Sequence, residues 1–204
     1  KRLVCPALVL AFCALALLGT SACKSDKDKV ADLVSRTMES YVVRSADDAK
    51  GDDKDSVQPV YGDDTTITQL TAYGVRDYEY HEHCFKNYSY EVGEATVDGD
   101  SASVEVTVTN ESLSAAADAA ASDYETWAAG EEAQQAYASS GRQGLLDKLV
   151  ELLYARLDAN ESPVTTTVAV TLSKDSDGNW SVNGTPEFFS ALYGGSNVIN
   201  GLSS

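Results

Sequence analysis

Two histidines, one methionine and four cysteines are all that 204 residues hold of the side chains most used for metal and thiol chemistry. Three of the cysteines, Cys5, Cys13 and Cys23, lie in or directly after the N-terminal apolar run. Only Cys84 belongs to the rest of the chain, so no intramolecular disulfide can form there. Burial in the core is the expected place for this lone thiol. Basic residues are also scarce, 15 against 32 acidic ones, for a formal net charge of −17. A surface of that sign repels the phosphates of nucleic acids and anionic lipid headgroups, which excludes nucleic acid as a partner. No Gly-x-Ser-x-Gly elbow for a serine hydrolase occurs, and no glycine-rich phosphate loop. The acidic runs at 45–64 and at Asp175-Ser-Asp-Gly178 lack the alternating aspartates and distant glutamate of a calcium loop, and read as solvated loops.

What is present begins with Lys1 and Arg2, the apolar run Leu3–Leu18, and the small residues Gly19, Thr20, Ser21 and Ala22 before Cys23. A positive start, an apolar stretch short of the about 20 residues of a membrane span, and a small-residue cleavage site make a secretion signal. Cys23 directly after Thr-Ser-Ala resembles the lipobox of bacterial lipoproteins, with Thr20 where leucine is usual. The resemblance implies diacylglycerol on Cys23, cleavage before it and an acyl (palmitate) anchor. It places the protein lipid-anchored on the extracytoplasmic face of the cell membrane. The expected division is a signal peptide over 1–22, a lipidated tether over 23–29, an α+β domain over 30–195 and a tail over 196–204.

Within the domain, Val30, Leu33, Val34, Met38, Tyr41 and Val42 recur at helical spacing. Asp64-Thr65-Thr66 caps a short helix closed by Gly74, and Val75–Phe85 reads as another. Strand alternation then takes over: Tyr88, Tyr90 and Val92, followed by a phase slip at Gly93 that puts Ala95 and Val97 on the apolar face. A glycine at such a slip predicts a bulge that bends the sheet. Asp98-Gly99-Asp100 turns the chain into a partner strand carrying Ala102, Val104, Val106 and Val108. Residues 110–160 read as a helix pair broken at Ser139-Ser140-Gly141. The second helix of the pair, with Leu146, Leu149, Val150, Leu153 and Leu157, is expected to pack deeply. A second hairpin follows, Val164–Leu172 and Trp180–Val182, then a short helix with Thr185 as cap, Pro186 at its first position and Gly194 as stop. The fold class is α+β: a bent antiparallel four-stranded sheet with N-terminal helices, an inserted helix pair and a short C-terminal helix.

The strand Tyr88–Val92, the hairpin around Val97-Asp-Gly-Asp-Ser-Ala-Ser-Val104, Thr107–Asn110, Asp177–Val182 and the helix Pro186–Gly195 together resemble small bacterial lipoproteins with a nuclear-transport-factor-2-like, cystatin-like cone. The resemblance implies a pocketed sheet. Its relatives include ligand or partner binders as well as isomerases and cyclases with an acid–base residue in the cone. It transfers no catalytic residue.

Two stretches draw attention for chemistry. Tyr80-His-Glu-His-Cys84 holds both histidines and the single thiol. On a helix His81 and Cys84 share a face while His83 points elsewhere, and on a strand His81 and His83 share a face without Cys84, so neither geometry presents a full ligand set and no metal or other cofactor is expected. Tyr73, Tyr78, Tyr80, Tyr88 and Tyr90 cluster before and within the first strand, and are the expected lining of a ligand-binding cone mouth. The favoured function is a non-catalytic envelope protein binding a small ligand or an envelope protein partner. Alternatives are a cone-fold enzyme with a buried carboxylate or histidine, and a homodimer formed through the open sheet face.

Overall fold

The computed structural model describes residues 25–44 and 57–199. Cys23, the signal and residues 45–56 of the acidic loop lie outside the described residues. Helix α1 spans Asp26–Glu39 and begins inside the stretch read as tether. Ser25 and Asp28 close a reciprocal capping box at its start, which satisfies two of the backbone N–H groups that a helix start leaves open. Val30, Val34 and Met38 then repeat every four residues and are fully buried. Helices α2 (Asp64–Thr71) and α3 (Asp77–Phe85) precede strands β1 (Ser89–Asp98) and β2 (Ser101–Glu111). Helices α4 (Leu113–Ala128), α5 (Glu131–Ser140) and α6 (Arg142–Ala159) follow, then β3 (Pro163–Lys174), β4 (Trp180–Val182) and α7 (Pro186–Leu192).

The four strands form one antiparallel sheet in the order β1-β2-β3-β4. The α+β class and the four-stranded sheet are as the sequence pattern requires. Val92 pairs with Val106 but Ala95 pairs with Val104, so β1 carries one extra residue where Gly93 sits. A Cβ on Gly93 would lie 2.9 Å from the Glu105 carbonyl oxygen, and only glycine lets the two strands approach at this bulge. The bulge shifts the inward set from Tyr90 and Val92 to Ala95 and Val97.

One face of the sheet is the core. Val104, Val106, Val108, Val170 and Leu172 meet α1 through Val30 and Val34, and α7 through Phe188 and Leu192. The other face carries hydroxyl pairs, Thr107 with Thr167 at 3.0 Å and Thr109 with Thr165 at 2.8 Å. No large apolar side chain is exposed on that side of β2 and β3. Asn110 ends the inward row of β2 and ties three elements together. Its Nδ2 donates to the carbonyls of Cys84 and Leu192 at 3.0 and 2.7 Å, and its Oδ1 accepts from Glu111 N at 2.9 Å. Ser196 and Val198, in the stretch read as tail, are buried.

Two expectations need correction. The inserted helix pair is three helices, because the first of the pair stops at Ala128. Gly130 adopts an extended conformation (φ −94°, ψ 173°) as the cap of α5, and glycine gives up least in leaving a helix. Helix α6 is not deeply packed either. Leu157 alone in it is buried, whereas Leu145, Leu146, Leu149, Val150, Leu152 and Leu153 are half-buried. These leucines spread over too wide an arc for one neighbour to cover. The helix rests on α3, α4 and α5 outside the sheet rather than in the core.

Candidate functional site

The short segment Val57–Tyr61 borders two cavities, one through Val57, Gln58 and Val60 and the other through Tyr61. On one side lies a cleft of about 320 Å³, bounded by α1, β4 and α7. Leu33, Val60, Trp180, Val182, Phe188 and Phe189 supply its mainly apolar wall. Each is where the local pattern requires. Leu33 lies on the flank of the buried α1 stripe. Trp180 and Val182 are on the inward side of the edge strand, and Phe188 and Phe189 open a helix capped by Thr185, whose hydroxyl accepts from Phe188 N at 3.2 Å. The ammonium of Lys174 stands 5.2 Å over the Trp180 ring, a cation–π contact that fixes the indole at the lip. The indole N–H of Trp180 is buried without a partner.

On the other side of the segment is a more open cavity of about 410 Å³ whose wall includes Tyr41, Tyr61, Tyr78, His81 and Phe85. The Tyr41 hydroxyl donates to the Val60 carbonyl at 2.7 Å and so pins the bordering segment. Burial pushes the Tyr41 phenol well above its ordinary range, which keeps it a donor.

His81 is the chemically distinctive wall residue. Its Nε2 lies 3.0 Å from Asp63 Oδ2, and the Tyr193 hydroxyl donates to the same oxygen at 2.8 Å. Asp63 is 2 % exposed and His81 is also largely buried, with its ring stacked on Tyr61. The Tyr193 phenol is pushed well upward, first by burial and then by the Asp63 charge, so it stays protonated and donating. Asp63 also stands at the cap position of α2, yet makes no capping bond with its side chain. A capping aspartate normally accepts from the helix N–H groups. Here tertiary packing has turned the carboxylate to His81 and Tyr193 instead. Nothing in the sequence around Asp63 marked it, since aspartate before a helix reads as an ordinary cap.

His83 points to another neighbour, as its place on the helix requires. Its Nδ1 is 2.8 Å from Asp158 Oδ1, its ring stacks on Tyr154 at 3.9 Å, and Lys86 Nζ is 2.6 Å from Asp158 Oδ2. This cluster joins α3 to α6. Burial would raise the Asp158 carboxyl, but the hydrogen bonds from Lys86 and His83 carry it below its ordinary value. Cys84 is fully enclosed, and desolvation pushes its thiol upward, away from reactivity. Among the described residues no group of three or more His, Cys, Asp or Glu is placed to hold a metal ion.

The five tyrosines expected at a cone mouth do not converge. Tyr80 and Tyr88 are core residues, and Tyr90 is half-buried with its hydroxyl on Glu39 at 2.8 Å. Tyr73 and Tyr78 are exposed, and each borders a different cavity. Tyr88 and Tyr90 turn toward α1, and in α3 Tyr78 and Tyr80 are two residues apart, a little over half a turn, and so point to opposite sides.

These features define an α+β domain with an open antiparallel sheet and cavities on both sides of the segment Val57–Tyr61. No family model matches the chain, and no curated protein matches it. Among solved structures, the chain is similar to a Bacillus subtilis protein described as a lipoprotein, at 17 % identity and a TM-score of 0.40. The likeness covers 64 % of this chain and 44 % of that one, so the match spans less than half of that protein's length. Likeness at this level leaves fold and function to be argued from the chain itself.

Proposed function

We propose that this chain is a lipid-anchored protein of the bacterial cell envelope, whose cone-like domain binds a small, mainly apolar ligand without acting on it chemically. The lipid anchor is supported by the sequence alone: a charged start, the run Leu3–Leu18 and Cys23 after small residues. No helix among the described residues is long and apolar enough to cross a membrane. The binding role is carried by one observation, the cleft of about 320 Å³ between α1, β4 and α7 with Trp180 at its lip. Its volume falls at the lower end of the range of small-molecule sites, and its lining has the apolar character of such sites. The nuclear-transport-factor-2-like assignment of the domain is part of the same proposal. It rests on the α1 helix across a bulged sheet and on the Phe188-Phe189 helix in the same core.

Two experiments test it. Metabolic labelling with radioactive palmitate should mark the wild-type chain and leave Cys23→Ala unlabelled as a longer precursor. Labelled Cys23→Ala would refute the anchor. For the cleft, Trp127→Phe leaves Trp180 as the single tryptophan of the 204 residues. Its emission should shift to the blue on titration with a medium-chain fatty acid, and Val182→Phe should abolish the response by filling the cleft. An unchanged spectrum across the titration would sink the binding role.

A further inference from the structure

The arrangement around His81 does something that packing does not require. Asp63 Oδ2 receives two donors, the Tyr193 hydroxyl at 2.8 Å and His81 Nε2 at 3.0 Å. A carboxylate only accepts, so the neutral imidazole must carry its proton on Nε2. Nδ1 on the other edge of the ring is then a free lone pair. It has no hydrogen-bond partner among the described residues and is not shut away from solvent, and His81 borders the cavity of about 410 Å³. The sacrifice of the α2 cap by Asp63 points the same way. A local rule of stability is set aside so that this carboxylate can orient this ring.

We infer that His81 Nδ1, oriented by Asp63 and Tyr193, is the proton acceptor of a second ligand site, which takes a planar molecule with a weakly acidic O–H group, phenol- or enol-like, and holds it as its anion. In binding, the ligand O–H bond breaks, the proton forms an N–H bond at Nδ1, and no electrons are transferred to any other group. The imidazolium so formed lies between the Asp63 carboxylate behind it and the ligand anion in front, so it is stabilised on both sides. The rings of Tyr61 and Tyr78 at the cavity wall offer a planar ligand flat aromatic contact. The charged groups at the rim are Glu82 and Arg44, whose guanidinium is paired with Glu39. Tyr61 is held protonated by burial and by the Asp63 charge, and so does not compete for the proton. This site is independent of the apolar cleft, and its failure would leave the cleft untouched.

The test uses 4-nitrophenol, which is yellow only as the phenolate. The full chain in detergent is mixed with it at a pH where the free phenol is mostly colourless. Wild type should generate the yellow form in a saturable way, lowering the apparent phenol pKa by about one unit, a tenfold shift in the equilibrium. His81→Gln should lose the colour, His83→Gln should keep it, and Asp63→Asn should weaken it. No saturable colour with wild type, or equal colour with His81→Gln, overturns the site. Nitrogen NMR of labelled histidine covers the case in which a variant misfolds. In wild type alone His81 should report the Nε2–H tautomer, and 4-nitrophenol should convert its Nδ1 to the protonated form. An Nδ1–H tautomer, or an Nδ1 signal that the phenol does not move, overturns it equally.

Discussion

Tyr61 and His81 lie face to face, their ring centroids 3.5 Å apart and their planes 10° from parallel. The contact ties the segment bordering the two cavities to α3. Two hydrogen bonds assist it, from the Tyr41 hydroxyl to Val60 and from His81 to Asp63. The chain from Val60 to Asp63 is therefore held at three points, Val60, Tyr61 and Asp63, each by a side chain from another part of the sequence.

Replacing Tyr61 by leucine keeps apolar volume on the ring of His81 but removes the aromatic stack. The expected loss is about 1 kcal/mol in urea-denaturation stability, the usual worth of such a pair beyond its buried area. A variant as stable as wild type would show that the stack does not hold the segment.

Gly194 and Gly99 both have positive φ, +59° and +60°, so alanine is strained equally at either. They differ in surroundings. A Cβ at Gly194 would stand 2.5 Å from the Glu111 carbonyl oxygen, whereas nothing lies within 4 Å at Gly99. Gly99→Ala should cost about 1 kcal/mol from backbone strain. Gly194→Ala should cost at least about 2 kcal/mol more, because backbone has to move. Equal melting temperatures for the two variants would refute the close approach of α7 to the end of β2.

Asp158 has its carboxyl held below its ordinary value by Lys86 and His83 against the opposing effect of burial. Its folded pKa is depressed, so its contribution to stability is complete above the unfolded value of about 4 and is lost as pH falls through the folded value. Stability measured by urea denaturation should decline as pH drops below about 4, and Asp158→Asn should flatten part of that decline. Asp26, held at about 2 by Lys174 and Lys29, contributes in the same direction. An unchanged acid profile in Asp158→Asn would remove the α3–α6 clamp from the account.

Cys84 should be inert to iodoacetamide at mildly alkaline pH in the folded chain, since burial both covers the thiol and raises its pKa. Its alkylation rate should follow denaturant concentration as unfolding does. Rapid modification without denaturant would place Cys84 in a locally opened segment.

The hairpin β1–β2 was legible because its alternation is strict and its one irregularity, Gly93, is the residue type a bulge uses. The caps at Ser112 and Thr185 also act as their residue types suggest, each side chain accepting from the first turn of its helix. Helix α6 was misjudged in depth for a definite reason. Periodicity reports that a helix has an apolar stripe, but not whether the neighbour under it is the sheet core or other helices at the margin.

The sequence by itself determined the α+β order, the bulge in β1 and the buried thiol, because each follows from period, turn chemistry or polarity within about a dozen residues. The tertiary structure decided which tyrosines line a cavity and which fill the core. It also decided that Asp63 abandons its cap for His81 and Tyr193, the latter 130 positions further along the chain. Contacts at that separation depend on how the elements pack against one another, which local pattern does not encode.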